Sequence, residues 1–478
     1  MTTKPAQIDS LDDTMVEGIA APVLLFAVQL GWWLVVSAVC NPVLTAGGVA
    51  VWAVLHWHGP VAAEVVCAGL VLALLSWRIT RPVSFGRAVG LPAVATTLGG
   101  IYRLRWRHVA TRHGLVAESY AGGRASSVDR EVASVGQVKA APGLLRLRVH
   151  LPAGLTPGDV EDACEGLAHA FKVRECRVAP DRPGWVWLEL HRRDLLAAPL
   201  DPLSVEPDVD LSGIPIGVHE DGTPWRLGLR GTHVLLAGAT GSGKSSVLWS
   251  LLRGLSQRIA AGSVQVWAVD PKGGMELGPG RALFTRFADT DPELMCQLVE
   301  ELVQVKDERA QHLARCGSRL HHATSDSPHI LLVVDELATL TAFAERKIIA
   351  RFDQALGLLL TQGRACGITV VSAVQDPGKD VVGWRDLFPT RIALRLDNPI
   401  QVDMVLGDGA RDRGALADHI SELTPGVAYI RTLGTCQVQR VRSSYLSDAD
   451  IDDLVRTAAA PIDPVLADLE ADFHGGSV

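Results

Sequence analysis

Apolar residues are gathered at the front of this chain. From Gly18 to Cys40 there are 23 positions without an Asp, Glu, Lys or Arg, enough at 1.5 Å per residue to cross a hydrocarbon layer of about 30 Å. A second apolar region, Pro42 to Trp77, is interrupted by His56, His58, Gly59-Pro60 and Glu64. It has room for one long kinked span or two short ones, and the pattern favours a span over 61–77. Arg78, Arg81, Arg87, Arg103, Arg105, Arg107 and Arg112 follow, with no acidic residue before Glu118. Basic residues stay on the cytoplasmic side of a membrane. The pattern therefore predicts two or three membrane spans within residues 1–80 and a basic juxtamembrane linker over 81–140, with everything after Arg78 in the cytoplasm. Residues 1–16 are polar and lack the basic region that precedes a cleavable apolar segment, so no removable signal peptide is expected.

Behind the linker the period changes. Leu144 to His150 alternates with period two, Pro157 to Phe171 has helical spacing behind a Thr156-Pro157 start, and 173–178 and 185–190 read as strands. These elements predict a small α+β accessory domain over 141–207, closed by the Pro- and Asp-rich stretch 201–207. From 208 to 455, short apolar runs at 233–237, 264–269, 329–334, 368–375 and 390–396 alternate with helical segments at 245–255, at 292–315 and up to about 360. Strands apolar on both faces, separated by helices, predict an α/β domain with a parallel sheet and right-handed crossovers. A tail, 456–478, closes the chain.

Composition narrows the possibilities. A net charge of −8 over 478 residues excludes a globally basic nucleic-acid-binding surface, so any contact with DNA is local. Mean hydropathy of +0.20 reflects the apolar front. Eight cysteines are scattered without a C-x-x-C pair, as expected of reduced thiols in a cytoplasmic body rather than a zinc site. His56-Trp57-His58 reads as residues of a membrane interface rather than metal ligands.

The sharpest chemical signal is Gly238-Ala239-Thr240-Gly241-Ser242-Gly243-Lys244-Ser245, followed by Ser246. It fits G-x-x-x-x-G-K-[ST] and stands between a strand and a helix, where glycines let successive backbone N–H groups curl around phosphate oxygens. These residues are the candidate ATP cradle. Lys244 is placed to reach the β- and γ-phosphates, and the Ser245 hydroxyl to ligate Mg²⁺. Such a loop needs a second strand that delivers carboxylates, and His329 to Glu336 supplies one. Asp335 is the candidate second Mg²⁺ ligand and Glu336 the general base that polarises water. Gln375, at a strand end, suits a sensor of the γ-phosphate.

With these segments in place the chain resembles the FtsK/SpoIIIE family of DNA-pumping motors, most of all the FtsK-type transfer proteins of actinobacterial plasmids and integrative elements. The resemblance covers about 140–455 and rests on Gly238 to Ser246, Asp270-Pro-Lys-Gly-Gly274, Val333 to Ala338, Gln362 to Ile368 and Pro389 to Ala393. It implies a RecA-like P-loop ATPase motor over 208–455, a homo-hexameric ring at the membrane, double-stranded DNA as partner, and contacts with other transfer proteins. It also implies an arginine acting across the subunit interface, with Arg391 the first candidate and Arg364 the second. Conjugative transfer is the leading expectation; type VII protein secretion and chromosome segregation are the alternatives.

Overall fold

A computed structural model describes residues 41–120, 128–341, 344–378, 383–432, 434 and 437–459. The expected span Gly18 to Cys40 and nearly all of the expected tail lie outside the described residues. The chain divides into two compact units, residues 1–194 and 195–478.

In the first unit, α1 (Pro42–His58) and α2 (Pro60–Thr80) are separated by Gly59 at φ 85°. Each helix opens on a proline, whose missing N–H costs nothing in a first turn. The second apolar region is therefore two helices rather than one kinked span. Among the described residues, Pro60–Thr80 alone is long and apolar enough to cross a membrane, with a mean hydropathy of 1.9 and only 6% of its apolar window buried. A core helix would bury most of that window.

The stretch read as a linker carries structure of its own. Helix α3 (Leu91–Arg112) buries Tyr102, Trp106, Val109 and Ala110, and strands β1 (Val116–Tyr120), β2 (Val128–Val132) and β3 (Ser134–Ala141) follow it. After these come β4 (Leu144–His150), α4 (Pro157–Phe171), β5 (Glu175–Pro180) and β6 (Trp185–His191). Strands β3 to β6 form an antiparallel sheet in the order β3-β4-β6-β5. Alternate residues Leu145, Leu147 and Val149 of β4 and Val186, Leu188 and Leu190 of β6 join α3 and α4 in one core. A capping box of Thr156 and Asp159 fixes the start of α4.

The second unit is built on a ten-stranded sheet. Its strands are β7 (Ile214–His219), β8 (Pro224–Leu227), β9 (Val234–Ala237), β10 (Val264–Val269), β11 (Arg286–Ala288), β12 (His329–Val334), β13 (Ile368–Val374), β14 (Thr390–Ala393), β15 (Val427–Arg431) and β16 (Gln439–Ser443). The spatial order is β11-β10-β12-β13-β9-β14-β15-β16-β7-β8. The first six are parallel, as the sequence predicts. From β14 onward every pairing is antiparallel, so the expected parallel sheet continues into an antiparallel part that the sequence reading did not include. The reason for the edge pair lies in its connection: β7 and β8 are joined by residues 220–223 alone, too short a link for the crossover that parallel neighbours need.

Helices cover both faces. Leu235, Ile330, Leu332, Val334, Ile368 and Val370 point toward α6 (Pro292–Arg315) and α7 (Arg346–Gln362). Val234, Leu236, Val266, Ala268, Leu331, Val333 and Val371 point toward α5 (Lys244–Ala260) and α9 (Asp448–Ala458). Between β14 and β15 lies α8 (Pro399–Leu406). This two-sided burial explains the uninterrupted apolar runs of the central strands.

Candidate nucleotide site

Strand β9 ends at Ala237, and residues 238–243 turn into the N-terminus of α5 at Lys244. Gly238 N–H donates to Val374 O at 3.1 Å and Ala239 N–H to Arg395 O at 2.8 Å, so the loop leaves the sheet bound to the ends of its two neighbours. Gly241 and Gly243 adopt φ of 71° and 97°, the left-handed region that disfavours any side chain. Gly243 is doubly required, because an added Cβ would stand 2.2 Å from Gly426 N. Gly426 N–H in turn donates to Ser242 O at 2.9 Å.

The ammonium of Lys244 is buried and donates to two loop carbonyls, Gly238 O at 2.6 Å and Ala239 O at 3.3 Å. Burial holds its pKa below the ordinary lysine value, and Glu336, Asp335 and Glu276 partly offset that effect. The Ser245 hydroxyl donates to Glu276 Oε2 at 2.5 Å.

Asp335 and Glu336 follow β12, which is separated from the phosphate-loop strand by β13 alone. Asp335 is 1% exposed, and its Oδ2 accepts from Lys272 Nζ at 2.8 Å. Burial raises the pKa of both carboxyls, with Lys272 opposing the rise in each. Glu336 Oε1 accepts from Gln375 N–H at 3.3 Å, whereas its buried Oε2 has no partner. The Gln375 side chain reaches the opposite wall: its Oε1 accepts from Thr240 Oγ1 at 3.2 Å. The phosphate loop, Asp335, Glu336 and Gln375 are thus brought together as the sequence predicts.

Arg391 and Arg364 are placed elsewhere. On β14, Arg391 pairs with Leu235, at the opposite end of β9 from the loop. Its guanidinium donates to Phe388 O, Val405 O and the Asp386 carboxylate. Arg364, Arg391 and Arg431 line one cavity of about 410 Å³.

Three site residues escaped sequence reasoning. Lys272 and Glu276 stand on the turn after β10. Arg395 follows β14 and donates to Thr240 O at 2.9 Å, with Asp397 and Glu422 beside it. The Asp270-Pro-Lys-Gly-Gly run was the available signal for the first two; nothing in the pattern marked the third.

A glycine loop between strand and helix, with a buried carboxylate pair one strand away, defines the class as a P-loop nucleotide-binding protein of α/β fold. Residues 198–327 match the FtsK/SpoIIIE family, and residues 73–192 match the actinomycete conjugal transfer protein N-terminal domain. The second unit therefore carries an FtsK/SpoIIIE-like domain over residues 198–327. It is 23% identical over 357 residues to a DNA translocase FtsK of Listeria monocytogenes, a match covering 68% of this chain and 44% of the relative. With a DNA translocase FtsK of Corynebacterium efficiens it shares 26% identity over 374 residues, 70% of this chain and 37% of the relative. The chain thus spans about two fifths of the length of these curated relatives. Among solved structures, the pCW3 conjugation coupling protein TcpA, in a monomer form with ATPγS, superimposes with a TM-score of 0.50 at 18% identity. That match covers 74% of this chain and 99% of TcpA, and it supports the fold.

Proposed function

We propose that this chain is a membrane-anchored motor that hydrolyses ATP to move double-stranded DNA, serving conjugative transfer of a plasmid or integrative element. The observation that carries the reading is the convergence of Lys244, Ser245, Asp335 and Glu336 on one cradle, beside an N-terminal part matched by actinomycete conjugal transfer proteins. The apolar helix Pro60–Thr80 supports the anchor, and the likeness to FtsK DNA translocases supports the substrate.

The donor set fits Mg²⁺. Ser245 and Asp335 offer oxygen ligands alone, and a positive charge already stands against Asp335. When bound, Mg²⁺ neutralises charge on the phosphate chain. The residues of this chain supply the rest. Backbone N–H groups of the glycine loop hold phosphate oxygens, and Lys244 exchanges its two loop carbonyls for the β- and γ-phosphates. Glu336 takes the proton of the attacking water on Oε2, the oxygen without a partner. Gln375, which spans Glu336 and Thr240, reports whether the γ-phosphate is present. Arg391, far from its own loop, acts on the site of a neighbouring subunit in a homo-hexamer.

The test is the ATPase rate of the full chain in detergent micelles with and without double-stranded DNA. Several-fold stimulation by DNA supports the motor; indifference to DNA with activation by a secreted protein would move the reading to export. Lys244→Ala abolishes nucleotide binding. Glu336→Gln retains ATP and lowers turnover by about 100-fold or more; normal turnover in that variant would remove Glu336 as the base.

A further inference from the structure

The turn after β10 brings two charges to the two expected metal ligands. Asp270, fully buried, accepts from the backbone N–H groups of Lys272 at 3.1 Å, Glu276 at 3.0 Å and Leu277 at 2.9 Å. Those three bonds, with Gly273 and Gly274 at φ of 71° and 76°, fold residues 270–277 back on the site. Lys272 Nζ then lies 2.8 Å from Asp335 Oδ2, and Glu276 Oε2 accepts the Ser245 hydroxyl at 2.5 Å. Both ligands expected of Mg²⁺ are therefore engaged by one turn.

Asp335 is almost fully buried and Glu336 nearly so, and a buried carboxylate without a counter-charge is costly. Lys244 is turned onto its own loop, which leaves the Lys272 ammonium as the charge paired directly with Asp335. A divalent cation ligated by Asp335 takes over that duty. An ammonium at hydrogen-bond distance from the same carboxylate repels that cation, because both are positive and the site is buried.

We propose that Lys272 is the resident cation of the metal site: it neutralises Asp335 while the site lacks Mg²⁺ and is displaced from Asp335 when Mg²⁺ enters. Glu276, released from the Ser245 hydroxyl in the same exchange, joins Ser245 and Asp335 in holding the ion. This inference rests on the nucleotide-site reading above.

Two titrations of the folded full chain in detergent micelles test it, neither reading turnover. In the first, Mn²⁺ is added without nucleotide and free Mn²⁺ is followed by electron paramagnetic resonance. Lys272→Met tightens Mn²⁺ binding by about tenfold, because the competing ammonium is gone, and Lys272→Arg binds Mn²⁺ no better than the natural protein. In the second, a fluorescent ADP analogue is titrated in EDTA and in Mg²⁺. Lys272→Met loses about tenfold in affinity in EDTA and little in Mg²⁺, whereas Glu276→Gln loses affinity in Mg²⁺ and little in EDTA. Equal Mn²⁺ affinity in Lys272→Met and the natural protein, or equal losses with and without Mg²⁺, overturns the proposal. Should Lys272→Met not fold, Lys272→Gln makes the same comparison with a polar end retained. Failure of the natural protein to bind the analogue at all sinks the nucleotide-site reading instead, a different outcome from either.

Discussion

Gly243 shows how little freedom the cradle has. Its φ of 97° already excludes most side chains, and a methyl group there would meet the backbone of Gly426 at 2.2 Å. Left-handed strain alone costs about 1–3 kcal/mol, and here neither backbone can retreat without breaking the Ser242–Gly426 hydrogen bond. Gly243→Ala is expected to lower the unfolding free energy by at least about that amount in urea denaturation and to abolish nucleotide binding. A variant as stable as the natural protein would mean that the loop has room to spare. At this scale the sequence was most informative where chemistry demands a fixed spacing. Lys244, Ser245, Asp335 and Glu336 were legible because strand, loop and helix place them at set offsets. Lys272 and Glu276 were marked only by the Asp270-Pro-Lys-Gly-Gly run, which does not tell that three backbone bonds to Asp270 fold the turn back on the site. Arg395 was hidden for the same reason: what puts it on Thr240 is the pairing of β14 with β9.

Among the elements, the parallel strands are rooted by buried histidines whose protonation sets an acid limit. His233 precedes β9, and its Nδ1 accepts from Val370 N–H at 3.0 Å. His329 opens β12 and donates through Nε2 to Thr369 Oγ1 at 3.1 Å, since the Thr369 hydroxyl is itself committed to Leu229 O at 2.6 Å. Burial is the main cause that lowers their pKa values from 6.5 to about 4 for His233 and about 3 for His329. A group with a depressed folded pKa binds protons more readily in the unfolded chain, so stability rises with pH across the window between the two values. The melting temperature is expected to be level above about pH 6.5 and to fall steadily from there toward pH 4. Replacing His233 by Gln should flatten that slope. The central strands were readable because burial on both faces leaves them continuously apolar. The antiparallel strands β7, β8, β15 and β16 were not, since they are short, two of them contain proline, and β16 reads as Gln-Arg-Val-Arg-Ser despite burying Val441 and Arg442.

Across the whole molecule, the separation of Arg391 from its own phosphate loop gives the proposed ring a concrete test. An arginine that serves a neighbour complements in trans. Mixing Arg391→Ala protein, whose cradle is intact, with Lys244→Ala protein, whose cradle is empty but whose arginine is present, should restore DNA-stimulated hydrolysis above that of either alone. No recovery at any mixing ratio would return Arg391 to a structural role with Asp386. In the described part of the front, the apolar run up to Trp77 was legible as a helix, yet the basic stretch after Arg78 concealed α3. Its arginines line the exposed side of a helix whose other side, Tyr102, Trp106 and Val109, closes a core.

The contact of Ser242 and Gly243 with Gly426 has a mechanical consequence. Gly426 is the residue before β15, and β15 runs five residues to Arg431, which shares its cavity with Arg391 and Arg364. A strand hydrogen-bonded on both sides does not stretch, so it behaves as a tie-rod between the mouth of the cradle and the far rim of the sheet. Backbone amides over 427–431 should exchange with deuterium more slowly once nucleotide is bound, although none of them touches it.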